Sequence, residues 1–328
     1  MMAMDAEALW HVAPGRSEIR RERVTPRDGA LLLRARVSAI SRGTERLVRA
    51  GRVPETERER MRAPFQEGAF PFPVKYGYAC VATVEDGPPS LIGRDVFTLH
   101  PHQTLFVAPA DAVTPLPEAA PRRRAALAAN METALNAVWD AGAAPGDRIA
   151  VIGGGAVGLM IASLLSRMPG CDVTLVDVLD RRAALAHGVD VFFRTPEAAP
   201  EGCDIAFHCS ASASGLATAM ATLGPEGRIV EASWHGAGET PVALGGAFHA
   251  RRLSLVSTQV GALPPARRPR WDHARRLAKA LEIVCGDPRL DALLSEDIPF
   301  AETPGRLDAV LAPDWEGVVP LIAYPAAG

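Results

Sequence analysis

The stretch Arg148-Ile-Ala-Val-Ile-Gly-Gly-Gly-Ala-Val-Gly158 decides the fold, because an apolar run stops at three consecutive glycines and then continues as apolar residues to Ser166. A short β-branched run, glycines in G-x-G-x-x-G spacing and a helix-like segment are typical of a dinucleotide-binding strand, turn and helix. The first glycine permits the tight turn, the second lets a pyrophosphate approach the backbone, and the third lets the helix pack against the strand. The helix N-terminus offers free N–H groups to the phosphates. We therefore predict a cofactor-binding loop made of Gly153, Gly155, Ala156, Val157 and Gly158.

An acidic residue follows the glycine loop at the distance that such a site requires. Asp177 ends a second apolar run, Asp172-Val-Thr-Leu-Val176, about 20 residues after the loop. A carboxylate there accepts hydrogen bonds from the ribose hydroxyls and repels a 2′-phosphate, which favours NAD over NADP. We count the nearby Arg182 among the cofactor-binding residues. Two alternatives are a glycine-rich loop that only caps a structural helix and a membrane span, and the glycine cluster argues against the span.

Composition excludes several classes of function. The 328 residues are enough for two domains or one large one. The formal net charge of -3 gives no reason to expect nucleic acid or an anionic membrane as a partner. The five cysteines form no C-x-x-C pair, and an odd number does not indicate a disulfide framework, so we expect a cytoplasmic protein. The N-terminus has no apolar core of signal-peptide length.

Two kinds of pattern divide the chain. Short strand-like runs broken by turn residues fill residues 30–116, whereas strand-like runs alternate with Ala/Leu-rich segments after Gly146. A run of good helix formers from Pro121 to Ala141 joins the two parts. We predict an α/β protein with an irregular β-barrel domain and a doubly wound parallel sheet of the Rossmann type. The barrel domain takes residues 1–130 and 263–328, and the Rossmann domain takes residues 131–262.

Three further segments carry structural predictions. The charged residues 55–62 are expected to form a solvated helix or loop. An amphipathic helix is predicted over residues 271–284. A terminal strand is predicted over residues 317–324, and Pro320 within it indicates a sheet edge or a bulge.

The order of motifs resembles the medium-chain dehydrogenase/reductases over nearly the whole chain. The resemblance is carried by Gly43-Thr-Glu45, Pro73-Val-Lys-Tyr-Gly-Tyr78, Gly93-Arg-Asp-Val96 and Gly146–Gly158 together with Asp177. It implies a GroES-like catalytic domain, a Rossmann domain and an active site in the cleft between them. Within the family, Ile40-Ser-Arg-Gly-Thr-Glu-Arg46 with Gly51-Arg-Val-Pro54 is similar to the branch that contains bacteriochlorophyllide dehydrogenases, which oxidise a secondary alcohol on a large ring.

The chain departs from the zinc-dependent members of that family at the ligand positions. The resemblance aligns these positions with Arg42 (or Ser41 if a gap is placed), Tyr78 and approximately Ala129. None of these is a usual zinc ligand, and a catalytic zinc needs three donors from Cys, His, Asp or Glu. The four-cysteine lobe of a structural zinc is absent from the sequence as well. We therefore predict no zinc and no other metal.

Without a metal, a side chain must polarise a carbonyl or take a hydroxyl proton. Tyr78 stands at a zinc-ligand position, and its alternative role is a packed aromatic in the barrel. Thr44 matches the hydroxyl that relays the alcohol proton, or else it caps a turn. Its neighbours Glu45 and Arg42 are either solvated charges or ion-pair partners. Ser41 and Arg42 are assigned to the substrate pocket.

Two more segments complete the candidate site. His100-Pro-His102 resembles the segment that lines the family's substrate pocket, so His100 is assigned to the pocket and His102 to a proton shuttle; two ordinary loop histidines are the alternative. The resemblance implies that Thr133 faces the nicotinamide. Glu132 lies in an otherwise apolar helical stretch and needs a partner, for which we considered Tyr78, His102 or the nicotinamide ribose. The arginines between 251 and 276 are expected to form a solvated face rather than an anion site.

Together these features predict a zinc-independent, NAD-linked oxidoreductase that interconverts an alcohol and a ketone or aldehyde. A zinc-free, NADPH-dependent quinone or enoyl reductase is one alternative, and a non-catalytic dinucleotide-binding protein is another. The expected partner is a small-molecule substrate, and we expect a homodimer or homotetramer.

Overall fold

The chain forms two compact units in the computed structural model, which describes residues 2–325. The first unit contains the residues up to Ala129, Leu281–Pro288 and the chain from Leu294 on. The second unit contains Asn130–Ala280 and Arg289–Leu293. The first boundary lies one residue from the predicted one, while the chain returns to the first unit at Leu281 rather than at residue 263.

Strands dominate the first unit up to Ala125. They are β1 (Met4–Ala13), β2 (Arg16–Val24), β3 (Ala30–Ala39), β4 (Glu67–Gly68), β5 (Val74–Lys75), β6 (Cys80–Asp86), β7 (Asp95–Thr98), β8 (Leu105–Pro109) and β9 (Val113–Pro115). The α-helices of this part are α1 (Arg42–Arg49) and α2 (Arg122–Ala125), and 3₁₀ turns cover Glu55–Glu57 and Ala110–Ala112.

Helices and strands alternate through the second unit. The helices are α3 (Ala128–Ala141), which begins two residues before the boundary, α4 (Ala156–Leu165), α5 (Arg182–Gly188) and α6 (Ala213–Thr222). The strands are β10 (Arg148–Ile152), β11 (Asp172–Val176), β12 (Phe192–Arg194), β13 (Cys203–His208), β14 (Leu223–Glu231) and β15 (Ser254–Ser257). A 3₁₀ turn covers Pro196–Ala198, and a single π-type turn covers Leu244–Phe248.

The C-terminal part returns to the first unit through α7 (His273–Gly286), which crosses the boundary between the units. It continues through β16 (Leu294–Pro299), α8 (Thr303–Leu311) and β17 (Val319–Ala323), with 3₁₀ turns over Pro288–Leu293 and Phe300–Glu302. Strand β17 pairs with β3 and β16, so the C-terminal strand is inserted in the sheet of the first unit. Both ends of the described chain therefore belong to one unit.

The two sheets of the first unit have the strand orders β2-β1-β5-β4 and β16-β17-β3-β6-β7-β9, and β8 also pairs with β3. Alternate residues of β3 and β6, such as Leu33 and Ala82, point into a core that helix α8 covers with Leu307 and Val310. Pro320 lies opposite a register shift between β16 and β17, where it needs no ladder hydrogen bond. The predicted bulge is therefore present, whereas the predicted sheet edge is not.

The second unit is a parallel sheet with the order β12-β11-β10-β13-β14-β15. This is the 3-2-1-4-5-6 strand order of a doubly wound fold. The strand order changes sense between β10 and β13, although the two strands are parallel. Residues 149–152 of β10 are buried, as expected for a central parallel strand covered on both faces. Helix α4 is apolar on most sides because it packs directly on that sheet.

The structure differs from the sequence prediction in a few elements. The hairpin of β1 and β2 and the short strand β12 were not predicted, because β2 is rich in arginine and glutamate and resembles a solvated segment. The helix predicted over residues 121–141 is two helices, α2 and α3.

None of the five cysteines forms a disulfide. Within residues 2–325, no helix has both the length and the apolar composition needed to cross a membrane.

Candidate functional site

The glycine loop begins where β10 ends, and two of its positions exclude any side chain. A Cβ on Gly158 would lie 2.0 Å from the carbonyl oxygen of Gly153. A Cβ on Gly153 would lie 2.9 Å from the backbone of Cys209, and this residue has a positive φ of 109°. Helix α4 therefore packs against the turn at a distance that only glycine permits.

The middle glycine leaves room for a ligand. Gly155 is the N-cap of α4, and no side chain accepts from the first N–H groups of the helix. A Cβ on Gly155 would meet nothing within 4 Å, so the space in front of the helix N-terminus is open. An N-terminus with free N–H groups and an open approach fits the pyrophosphate of a dinucleotide. Ala156 and Val157 form the first turn of the helix.

Asp177 follows β11 and contacts the glycine loop directly. Its carboxylate accepts hydrogen bonds from the backbone N–H groups of Gly154, at 2.5 Å, and Leu179, at 2.8 Å. Each oxygen keeps a second lone pair for a ribose hydroxyl. Arg182, at the start of α5, packs against Gly154, and burial lowers the pKa of its guanidinium although the charge of Asp177 opposes this shift. The predicted cofactor residues of the loop, Asp177 and Arg182 thus lie together.

Tyr78 lies in the first unit beside the N-terminus of α1. Its hydroxyl lies beside the side-chain hydroxyls of Ser41 and Thr44, which lower its pKa, and its ring meets that of Tyr76 edge to face at 5.9 Å. Burial raises the pKa of Tyr78 to about 12, and the carboxylate of Glu45 adds to this shift while the two hydroxyls oppose it. The phenol is therefore protonated at neutral pH and can donate to an oxygen.

A buried chain of hydrogen bonds continues from this point. Glu45 accepts from the backbone N–H of Ser41 at 2.8 Å and pairs with Nε2 of His102 at 3.1 Å. Nδ1 of His102 bonds to Ser38 at 2.8 Å, and Ser38 bonds to Tyr324 at 2.9 Å. Glu45 is buried and hydrogen-bonded to His102, so it is not a solvated charge. Ser38 and Tyr324 were not predicted, because residues so far apart in the sequence share no local signal.

His100, assigned to the pocket, is packed away from solvent instead. Its ring stacks on Phe106 at 3.7 Å and lies 5.4 Å from Phe65, and its Nδ1 donates to the carbonyl of Pro101. Burial lowers the pKa of His100 to about 3. A neutral ring held between two aromatic rings has a structural role, so the structure gives no support to pocket lining by His100.

Glu132 has a partner that the sequence did not indicate. Nε of Arg276 donates to its carboxylate at 3.0 Å, and the same guanidinium also bonds to Asn136 and to the carbonyl of Val260. Burial raises the pKa of Glu132, and Arg276 opposes this shift. Glu132 thus forms an ion pair with Arg276 inside the second unit, and not the contact with Tyr78 or His102 that we considered from the sequence. Arg276 is fully buried, which corrects the prediction of a solvated arginine face at this position. Thr133, half buried, is the next residue of α3.

The residues at the expected zinc positions do not fit a zinc ion. The hydroxyl of Ser41 lies beside that of Tyr78, and the methyl side chain of Ala129 offers no ligand atom. Arg42, assigned to the substrate pocket, instead donates to the carbonyls of Val310 and Ala312 at 2.6 Å each. Three Cys, His, Asp or Glu donors are therefore missing where the family would hold its metal. Zinc independence stays a prediction.

Comparisons with known proteins agree on the fold. Residues 149–199 match the family described as "Ketopantoate reductase PanE/ApbA", a match confined to the glycine loop and the elements that follow it. The structure is similar to L-idonate 5-dehydrogenase from Escherichia coli K-12, with a TM-score of 0.79, 14% identity and coverage of 98% of this chain and 99% of that one. It is similar to a putative zinc-binding dehydrogenase from Sinorhizobium meliloti 1021 bound to NADP, with a TM-score of 0.77, 17% identity and coverage of 98% and 99%.

A third similar structure is 2R,3R-butanediol dehydrogenase from Bacillus subtilis, with a TM-score of 0.75, 15% identity and coverage of 98% of this chain and 100% of that one. At such identities a likeness shows the fold alone. The predicted GroES-like and Rossmann fold class is therefore confirmed.

Proposed function

We propose that this protein is an NAD-linked oxidoreductase that interconverts an alcohol and a ketone or aldehyde without zinc. The observation that carries the proposal is the hydroxyl of Tyr78, which lies beside the hydroxyls of Ser41 and Thr44 where zinc ligands are missing. The fold and the open glycine loop support the dinucleotide. The names of the similar structures, which are dehydrogenases of alcohols and polyols, support the substrate class.

In the reducing direction, Tyr78 would donate its proton to the carbonyl oxygen as hydride arrives at the carbonyl carbon. The bound nicotinamide supplies the hydride. A pKa of about 12 keeps the phenol protonated over the neutral range, so it polarises the carbonyl before the transfer. The hydroxyl of Thr44, which is partly exposed, would then pass a proton from solvent to the phenolate. His102 holds Glu45, and Glu45 accepts from the N–H of Ser41 at 2.8 Å, so this pair positions the N-terminal turn of α1.

Asp177 should make the protein prefer NADH to NADPH, and Asp177→Ser should reverse or remove that preference. The change removes a charge-assisted hydrogen bond to the ribose, which is worth about 10- to 100-fold in NADH affinity. Fluorescence titration with both cofactors measures the ratio. Asp180→Asn is a matched control, because Asp180 is exposed one turn further on. A wild type that binds NADPH more tightly would reject the preference and favour the quinone or enoyl reductase, for which the neighbouring Arg182 would hold the 2′-phosphate.

The activity itself is tested on protein treated with a chelator and shown to be free of metal. We expect NADH oxidation with ketones or aldehydes from a panel that includes cyclic secondary ketones. Turnover that requires added zinc would reject the zinc-independent mechanism. Tight NADH binding without turnover on any carbonyl would favour the non-catalytic dinucleotide-binding protein.

A further inference from the structure

A cluster of two histidines and a glutamate lies in the second unit and contains no residue assigned above, although His208 pairs with Ile152, the residue before the glycine loop. Within residues 2–325, His208, Glu231 and His235 are the one group of three potential metal-ligating side chains whose ligand atoms come together, all within 4.8 Å of one another. His208 and Glu231 are the last residues of the neighbouring parallel strands β13 and β14, and His235 follows in the next loop. The cluster thus sits at the carboxyl edge of the sheet, where doubly wound folds bind ligands.

One imidazole nitrogen of each histidine lies close to the same carboxylate oxygen. Oε2 of Glu231 lies 2.7 Å from Nδ1 of His208 and 3.5 Å from Nε2 of His235. Ligands of a tetrahedral zinc ion with bonds of about 2.0–2.1 Å are roughly 3.3 Å apart. The second distance already fits, and the first has to open by about half an ångström. From this geometry we propose that His208, Glu231 and His235 form a binding site for a divalent transition metal of the Zn²⁺ class.

Each ligand is held by a partner on its outer side. Nε2 of His208 bonds to the hydroxyl of Ser210 at 2.8 Å, and Nδ1 of His235 bonds to the hydroxyl of Thr240 at 2.9 Å. The other oxygen of Glu231 accepts from the backbone N–H of Ser233 at 2.8 Å. Hydrogen bonds of this kind orient the ligands of metal sites in general. The cluster therefore has the outer support of a built site, which a chance contact of surface side chains lacks.

The hydroxyl of Ser210 also determines where the proton of His208 goes when a metal binds. Without metal, one proton lies between Nδ1 of His208 and Glu231, since a bare nitrogen and a carboxylate oxygen at 2.7 Å would repel. A metal on Nδ1 would displace this proton to Nε2 of the same ring, and the hydroxyl of Ser210 would turn from donor to acceptor so that Nε2 keeps its bond. The imidazole is neutral before and after, so no proton has to leave the site.

The ligand set also indicates the class of metal. Two imidazoles and one carboxylate suit zinc, copper, nickel or cobalt rather than calcium or magnesium, which take oxygen ligands. Three protein ligands leave the fourth tetrahedral position for water. Glu231 and His235 keep side-chain exposures of 17% and 21%, so solvent reaches this side of the cluster.

The test uses the full chain, stripped of metal, and titrates it with Zn²⁺ by calorimetry and with Co²⁺ by visible absorption. We expect one ion per chain and the Co²⁺ absorption bands of a tetrahedral site. His235→Gln should weaken Zn²⁺ binding at least 100-fold, while His249→Gln, an exposed histidine of the same unit, should leave it unchanged. His235 is partly exposed, so its replacement should not disturb folding, and the melting temperature checks this.

Variants of Thr240 test whether the hydrogen bond to His235 holds this ligand in place for the metal. Thr240→Val removes the hydroxyl on His235 and should weaken Zn²⁺ binding by about 10- to 100-fold, while Thr240→Ser should retain it. No binding near one ion per chain, or equal affinity in wild type and His235→Gln, would overturn the proposal. Because the titration needs neither substrate nor dinucleotide, its failure would leave the proposed function intact, and the reverse also holds.

Discussion

Replacing Tyr78 by phenylalanine should lower kcat for carbonyl reduction by about 100-fold or more, because a positioned general acid is worth about 10²–10⁴ in rate. The expected loss is in kcat rather than in NADH affinity. The glycine loop that would hold the cofactor belongs to the second unit, whereas Tyr78 belongs to the first. Steady-state kinetics and a separate NADH titration measure the two effects.

The other tyrosines supply the control for this experiment. The chain has three tyrosines, and Tyr76 lies edge to face with Tyr78 in the same segment. Tyr76→Phe should therefore keep kcat within a few-fold of wild type while making the same chemical change. Equal kcat values for Tyr78→Phe and Tyr76→Phe would remove Tyr78 from the mechanism. Thr44→Val should give an intermediate loss, because the hydroxyl of Ser41 remains beside the phenol.

Acid should destabilise the first unit between pH 6.5 and pH 4, by about 4 kcal/mol at pH 5 relative to pH 7.5. The cause is a pair of buried histidines. Burial lowers the pKa of His11 to about 4 and that of His100 to about 3. The unfolded chain takes up protons near pH 6.5 while the folded chain does not, so the stability that these groups supply above pH 6.5 is lost as the pH falls. The midpoint of urea unfolding at a series of pH values measures the effect.

The structure explains why neither histidine is protonated when folded. Nε2 of His11 is buried without a hydrogen-bond partner, and His102 and Arg49 oppose a positive charge there, although Glu45 favours one. His100 is stacked on Phe106, and the nearby Lys75 and His102 make a positive charge on its ring less favourable. His100→Leu should therefore remove about half of the loss at pH 5, and His249→Gln should remove none. An unchanged pH dependence in His100→Leu would show that the low pKa is wrong.

The glycine loop shows how much local sequence can determine. The spacing of Gly153, Gly155 and Gly158 predicted the strand, the turn and the helix, since each glycine answers a constraint between residues close in the chain. Asp177 was predicted in the same way, because the end of the next parallel strand lies beside the loop in every such fold. The alternation of elements after Gly146 likewise predicted the order of the second unit, apart from the short strand β12.

The hydrogen-bonded groups around the site depended on tertiary structure. Glu45 meets His102, and Glu132 meets Arg276, across distances in sequence that no periodicity links. The sequence indicated that Glu132 needs a partner, because a buried carboxylate alone is costly, but it could not tell which arginine reaches it. For the same reason the sequence did not indicate the cluster of His208, Glu231 and His235. Its members share no motif and come together only because β13 and β14 are neighbours.

By itself, then, the sequence determined the fold class, the cofactor loop with its acidic residue, and the absence of zinc ligands at the family's positions. Those features rest on short-range spacing and on residue chemistry. Only the tertiary structure decided which polar side chains are buried, which partner each one has, and that the hydroxyl of Tyr78 lies beside those of Ser41 and Thr44. The physical reason is that the pKa of a side chain and its partners depend on burial and on neighbours brought together by packing, and these are properties of the folded chain.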